Sequence, residues 1–349
     1  MIGQLTRLGC LLLLLGAIGC EQQKNPVYHD QFFAFGTLID ITLYGAKQPL
    51  ADSVCRQIEQ DFLDMHASWH PWQSGPISSL NRQLSTLEPQ TIKPSILPLL
   101  TEAHRLSSLS TGLFNPVMGN LIALWGFHDN ALPIGTLPDS AAIKEWLAQA
   151  PSSNDVHIDG TLIQSRNPAV AYDLGGFAKG YAIDHAIDRL RAAGIQHAIV
   201  NAGGDLRAIG QHGDRPWRIG IRNPRGNGIL ASIEISGDNS VFTSGDYERF
   251  FEVDGKRYHH IIDPRTGYPA MNTTSVTVID SNAATADAAA TALFVAGPDQ
   301  WWSIANNMAL RYVMLIDTLG TIHMNPAMQS RILFEPGINA EIKLSAPLQ

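Results

Sequence analysis

The sequence predicts an α+β fold, with antiparallel-rich β-sheets and flanking helices. Three observations carry this expectation. In the first half, apolar residues recur mainly at helical spacing. In the second half, strand-like runs follow one another directly, which favours antiparallel pairing over alternating βαβ units. Between Val156-His-Ile158 and Leu162-Ile-Gln164 stands Asp159-Gly160, a two-residue hairpin signal.

Phe32 to Thr42 reads as a strand interrupted at Gly36-Thr37. Val54, Ile58, Phe62 and Met65 then mark an amphipathic helix. Ser68-Trp69-His70-Pro71-Trp72 reads as a loop carrying two indoles, which can stack on a planar ligand or simply pack. A helix from about Pro94 to Ser110 stops at Gly112, and Leu113-Phe114-Asn115-Pro116 turns the chain into a short helix with Leu121 and Trp125. Asp139 can cap a helix whose inner face is Ala142, Ile143, Trp146 and Leu147.

After the hairpin, Ala169-Val-Ala-Tyr172 reads as a buried strand, and Ile183, Ala186, Ile187 and Leu190 as a helix ended by Gly194. Strands are expected at Ala198 to Val200, Leu206 to Ile209, Trp217 to Arg222, Ile229 to Ile235 and Ser275 to Ile279. Phe250 to Ile262 should turn at Asp254-Gly255. A helix from Ala283 to Val295 is expected to end at Gly297, followed by strands at Tyr312 to Ile316 and Thr321 to Met324.

Length and charge bound the function. The 349 residues suffice for one large or two modest domains, and a net charge of −8 without a basic run argues against nucleic-acid binding. Residues 1–19 have the pattern of a signal peptide: Arg7, an apolar Leu11 to Leu15, then Ala17-Ile-Gly before Cys20. That apolar run is far shorter than the ~20 residues needed to span a membrane. The small residue before Cys20 resembles a bacterial lipobox, which would leave Cys20 lipidated; an ordinary signal peptide is the other reading. Residues 20–30 are then a tether, 31–330 one catalytic domain and 331–349 a tail. Of the three cysteines only Cys55 remains inside the domain, so the mature chain cannot form an internal disulfide there.

Two places could carry chemistry. Asp173-Leu-Gly-Gly-Phe-Ala-Lys-Gly180 puts two glycines at a strand-to-helix junction, where main-chain N–H groups and the helix dipole can receive an anion or a phosphate-bridging metal. A tight turn needing only positive φ explains the glycines equally well. Asp287 and Thr291 lie four apart on an alanine-rich helix, a half-shell suited to a hard cation. They can also be a dipole-stabilising acid and a hydroxyl bonded to its own helix. In Tyr258-His259-His260, adjacent strand residues face opposite ways, so one imidazole at most can serve a site as a base.

Five segments stand in order along the chain: Asp173 to Ala182, Asn201-Ala-Gly-Gly-Asp205, Ser244-Gly-Asp-Tyr-Glu-Arg249, His260-Ile-Ile-Asp-Pro-Arg-Thr-Gly267 and Thr285 to Thr291. Taken together they resemble the FAD:protein FMN transferases, the ApbE family. Gly36-Thr37 and Gly112 to Pro116 with Leu124-Trp-Gly-Phe127 are similar to that family's amino-terminal motifs. The resemblance implies an ApbE-like fold and a Mg²⁺-dependent enzyme that splits FAD, attaches FMN to a protein threonine and releases AMP. Carried over by position, it implies metal ligation by Asp287, Thr291 and the Gly176 carbonyl. It further implies FAD contacts at Asp173, Lys179 and Ile262, a pocket of Phe35, Trp69, Leu113, Phe114 and Asn115, and His260 as base. The implied partners are flavin-carrying subunits of membrane redox complexes, met on the periplasmic side of the inner membrane. An FAD pyrophosphatase and a non-catalytic flavin-binding lipoprotein are the rival readings. The chain departs from the pattern at Ala290, where some members have a carboxylate, at Trp69 for tyrosine, and at Asn115 for aspartate.

Overall fold

The computed structural model describes residues 26–128 and 136–349. The signal peptide and the lipidation site at Cys20 lie outside the described residues. From the amino end come β1 (Val27–Ala34), β2 (Thr37–Tyr44), α1 (Gln48–Trp69), α2 (Pro76–Leu84), β3 (Gln90–Thr91), α3 (Leu97–Leu109), α4 (Gly119–Leu124) and α5 (Ser140–Gln149). Next are β4 (Val156–Asp159), β5 (Leu162–Ser165), α6 (Ala178–Ala192), β6 (Ala198–Ala202), β7 (Asp205–Ile209), β8 (Trp217–Arg222), β9 (Ile229–Ile235) and β10 (Asn239–Gly245). The chain closes with β11 (Phe250–Val253), β12 (Lys256–His259), β13 (Thr273–Asp280), α7 (Ala283–Asn307), β14 (Tyr312–Asp317), β15 (Ile322–Met324), α8 (Pro326–Gln329), β16 (Ile332–Phe334) and β17 (Ile342–Leu344).

One nine-stranded sheet organises these elements, in the order β1-β2-β6-β7-β10-β13-β14-β15-β17. Its neighbours are antiparallel except β15 with β17. Side-chain alternation sends Ile39, Ile41 and Leu43 of β2, Val200 of β6 and Val276 and Val278 of β13 into a core shared with α1, α3, α6 and α7. Leu206, Ala208, Val241, Ile279 and Met314 emerge on the opposite face. A second sheet, β16-β9-β8, covers them there with Trp217, Ile219, Ile233 and Ile235. The α+β expectation is therefore met as three layers, helices, large sheet and small sheet. Because β13 is covered on both faces, seven of its eight residues are buried. No described helix is long and apolar enough to cross a membrane.

Several boundaries differ from those expected. The first hairpin turns at Phe35-Gly36, with Ala34 paired to Thr37, one residue before the predicted interruption. Val27 to Asp30, read as tether, belong to β1, whose outer positions are polar and exposed and so give little apolar alternation. The tail is not separate: β16 pairs with β9 and β17 with β15. Gly297 does not end α7 but kinks it, adopting φ 69° before Pro298, after which the helix resumes. Trp69 is the last residue of α1 and is buried, so only Trp72 of the two indoles lies in the loop.

Ala169 to Tyr172 is buried but is not a strand; it makes one isolated bridge, between Met118 and Ala171. Its main-chain groups are satisfied another way. The Asn81 side chain accepts from the Tyr172 N–H at 2.7 Å and donates to the Tyr172 carbonyl at 2.9 Å, replacing a sheet neighbour. The Asp173 N–H donates to the Pro116 carbonyl at 2.9 Å. Asn81→Ala should therefore strand two groups of a buried residue, at a cost on the order of 2–4 kcal/mol. A fall in the urea midpoint with unchanged slope is the expected signature, and a midpoint within error of wild type would refute it.

Candidate active site

α7 is rich in alanine over its first three turns, where every residue but Thr285 and Thr291 is buried. Small side chains let α6 come close. A Cβ on Gly180 would sit 2.2 Å from the Ala283 carbonyl oxygen, so only glycine permits this crossing. Asp287, 4% exposed, uses Oδ2 to accept from the Gly180 N–H at 2.9 Å. One turn on, Thr291 faces the glycine corner: a side chain at Gly176 would begin 3.2 Å from Thr291 Oγ1 and 3.6 Å from Phe114 Cε2. The fold thus brings Asp287, Thr291 and Gly176 together from segments more than 100 residues apart.

Neither Gly175 nor Gly176 has a positive φ, so the tight-turn explanation of the pair fails and close approach explains Gly176. The anion expectation is also modified. The Gly175 N–H is taken by Asp173 Oδ1 at 2.9 Å, and that of Gly180 by Asp287. Positive charge at the corner comes from Lys179, whose Nζ lies 2.9 Å from Asp205 Oδ2 and 3.7 Å from Asp287 Oδ1. Burial opposes the Lys179 charge, but the two carboxylates outweigh it and hold its pKa above the usual lysine range. Burial lifts the Asp287 carboxyl, and Asp205 adds to this; Lys179 and the Gly180 amide oppose it, leaving a pKa of about 6. Asp173, half-buried, is likewise raised by burial, against the Gly175 amide, the Arg249 charge and a hydrogen bond from Trp72.

The two histidines differ in their surroundings, His259 closing β12 and His260 lying just beyond it. His259 is buried, and its Nε2 donates to the Ala270 carbonyl at 2.8 Å, a core role. His260 is partly exposed, and its Nδ1 lies 3.2 Å from the Arg249 carbonyl oxygen. A carbonyl only accepts, so Nδ1 carries the proton and Nε2 keeps its lone pair. Burial, then the charges of His259 and Arg249, push the His260 pKa down to about 3, which keeps the ring neutral. The rest of its motif is structural: Asp263 pairs with Arg265, whose Nη2 donates to the Val295 carbonyl at 3.1 Å and ties the loop to α7.

The aromatic expectations are met unevenly. Phe35 lies at the hairpin turn with φ 50°, an unfavourable conformation for a bulky residue. Its ring centroid is 5.9 Å from Trp69 and 5.8 Å from Phe62. Trp69 packs edge-on to Tyr181. Leu113 and Phe114 are buried in the main core, and Ile262 in a smaller one with Trp125 and Phe127. Asn115 spends its amide on the Pro151 carbonyl and the Val117 N–H, so a polar contact to a ligand would have to break one of these. Ala290 faces the core at 1% exposure.

Sequence reasoning gave no site role to Asp205, Asp184 or Arg207. Asp205 had a signal, since it follows Gly203-Gly204 in one of the five segments. Asp184 and Arg207 had none, because their partners are remote in sequence.

The chain is similar to known proteins over the region that holds these residues. The ApbE family matches residues 35–314. An FAD:protein FMN transferase of Rhodobacter capsulatus is 39% identical over 321 residues, 92% of this chain; the chain spans 61% of that relative's length. An FAD:protein FMN transferase of Vibrio cholerae is 34% identical over 90% of this chain and 93% of its own. Among solved structures, the ApbE protein of Thermotoga maritima superposes with a TM-score of 0.79 at 34% identity, covering 88% of this chain and 99% of its own. The flavin transferase ApbE of Vibrio cholerae gives 0.77 at 28% identity, covering 88% and 100%.

Proposed function

The chain belongs to the ApbE family, and on that premise we propose that it is an FAD:protein FMN transferase acting on a threonine of an acceptor protein, with Mg²⁺. The observation that carries this reading is the meeting of Asp287 and Thr291 with the glycine corner beside Lys179.

The donor set suits the metal. A carboxylate, a hydroxyl and a main-chain carbonyl are all hard oxygens, and Mg²⁺ takes few protein ligands and keeps several waters. The space left by a missing Cβ at Gly176 gives the main chain close access to the seat. When bound, the ion would neutralise charge on the pyrophosphate oxygens. Lys179 holds the phosphates by charge, and Asp205 keeps that lysine directed at the corner. His260 Nε2, with its proton already on Nδ1, takes the threonine hydroxyl proton. The threonine oxygen bonds to the FMN phosphorus, the P–O bond to AMP breaks, and AMP leaves with the electron pair.

The lipobox at Cys20 supports anchoring to the periplasmic side of the inner membrane, where flavin-carrying subunits of membrane redox complexes would be within reach. One assay tests the catalytic reading. The protein is incubated with FAD, Mg²⁺ and a flavin-acceptor domain, and denatured gels are inspected for fluorescence. A fluorescent acceptor band supports transfer. Free FMN without a band indicates a pyrophosphatase, and intact co-purifying FAD a carrier; either outcome sinks the proposal.

A further inference from the structure

We propose that Asp184 is a positioning residue for the cation seat, acting through a reciprocal latch between α6 and α7; this rests on the cation reading above. The latch has two halves. Asp184, four residues after Gly180 on α6, accepts from the first two amides of α7: Ala283 to Oδ1 at 2.9 Å and Ala284 to Oδ2 at 3.0 Å. Asp287, four residues after Ala283 on α7, accepts from the Gly180 amide of α6 at 2.9 Å. Each helix thus binds main-chain donors of the other's first turn, at the point where Gly180 and Ala283 touch.

The latch has a chemical consequence. It commits Asp287 Oδ2 to the Gly180 amide and leaves Oδ1, the oxygen facing Lys179, for a cation. It also sets the distance between α7 and the corner, hence between Thr291 and Gly176. Arg207, 7% exposed on β7, holds the far side. Its Nη1 pairs with Asp184, and its Nε and Nη2 reach the two oxygens of Asp238 at 2.8 Å each. From the same strand, Asp205 directs Lys179. One strand therefore fixes both the latch and the lysine.

The test measures Mg²⁺-induced thermal stabilisation without FAD, so no transfer is needed. Three variants are compared with wild type. Asp184→Asn keeps one acceptor, and its NH₂ must face either the Ala284 amide or the Ala283 amide together with Arg207. Arg207→Lys keeps the charge but loses the planar fork that grips Asp238 by two bonds while reaching Asp184 by a third. Asn282→Ala is the control: its side chain caps α7 by accepting from the Thr285 N–H at 2.7 Å, outside the latch. We expect Asp184→Asn to raise the half-saturating Mg²⁺ concentration at least fivefold, Arg207→Lys to raise it about twofold, and Asn282→Ala to lower Tm with the Mg²⁺ midpoint unchanged. If both latch variants melt lower yet keep the wild-type midpoint, their role is only structural and the proposal is overturned. Should Asp184→Asn not fold, Arg207→Lys decides. A wild type that Mg²⁺ does not stabilise removes the cation reading itself, and the latch proposal falls with it.

Discussion

Asp287→Asn should cut FMN transfer by at least 10²–10³-fold, the scale expected when charge stabilisation at the leaving group is lost, while the metal-free protein melts at or above the wild-type temperature. Both halves follow from one burial. Asp287 is raised to about 6, well above the ~3.9 of a free aspartate, so its charged form is disfavoured in the folded protein. The folded state therefore bears a cost above about pH 6. That cost shrinks as pH falls through 6 and is gone below the unfolded value. Asparagine removes it at neutral pH and can still accept from Gly180. Protonation also competes with the cation: Mg²⁺ affinity should be flat above pH 6 and fall about tenfold per unit below it. Mg²⁺ titrations from pH 5 to 8 read this directly. A midpoint that does not move across that range would show that residue 287 is not the ligand.

His260→Gln should slow transfer by about 10²–10⁴-fold, the usual contribution of a positioned base, with FAD binding retained. Since burial pushes His260 to about 3, the imidazole of the free enzyme stays neutral from pH 5 to 8. The fold-loss should then be the same at pH 6 and pH 8, and the His260 ring resonances should not titrate between them. A ring that titrates near 6.5 would mean that the site is open to water and that the Arg249 carbonyl does not hold the tautomer. A rate within threefold of wild type would remove His260 from the reaction.

What could be read from the chain was local. The Asp159-Gly160 hairpin, the α5 cap at Asp139 and the Gly194 stop appear where turn and cap chemistry put them, because each depends on residues within a few positions. The four-residue spacing of Asp287 and Thr291 likewise required one helix face. Ala169 to Tyr172 misled for the complementary reason. Its apolar run promised a strand, but a side chain 91 residues away took the bonds a neighbour would have made.

The sequence by itself determined the α+β class, the family and the residue types of the site, because periodicity, turn residues and motif order are properties of neighbours along the chain. Only the tertiary structure decided which of two histidines is buried in the core and which stays partly exposed, that Trp69 is buried at a helix end, and that Gly176 is needed for closeness and not for a turn. It alone also linked Asp184 to the amides of α7. The physical reason is that an amide, a carboxylate and a missing Cβ acquire a partner only when the packing of a buried core brings remote segments within about 3 Å.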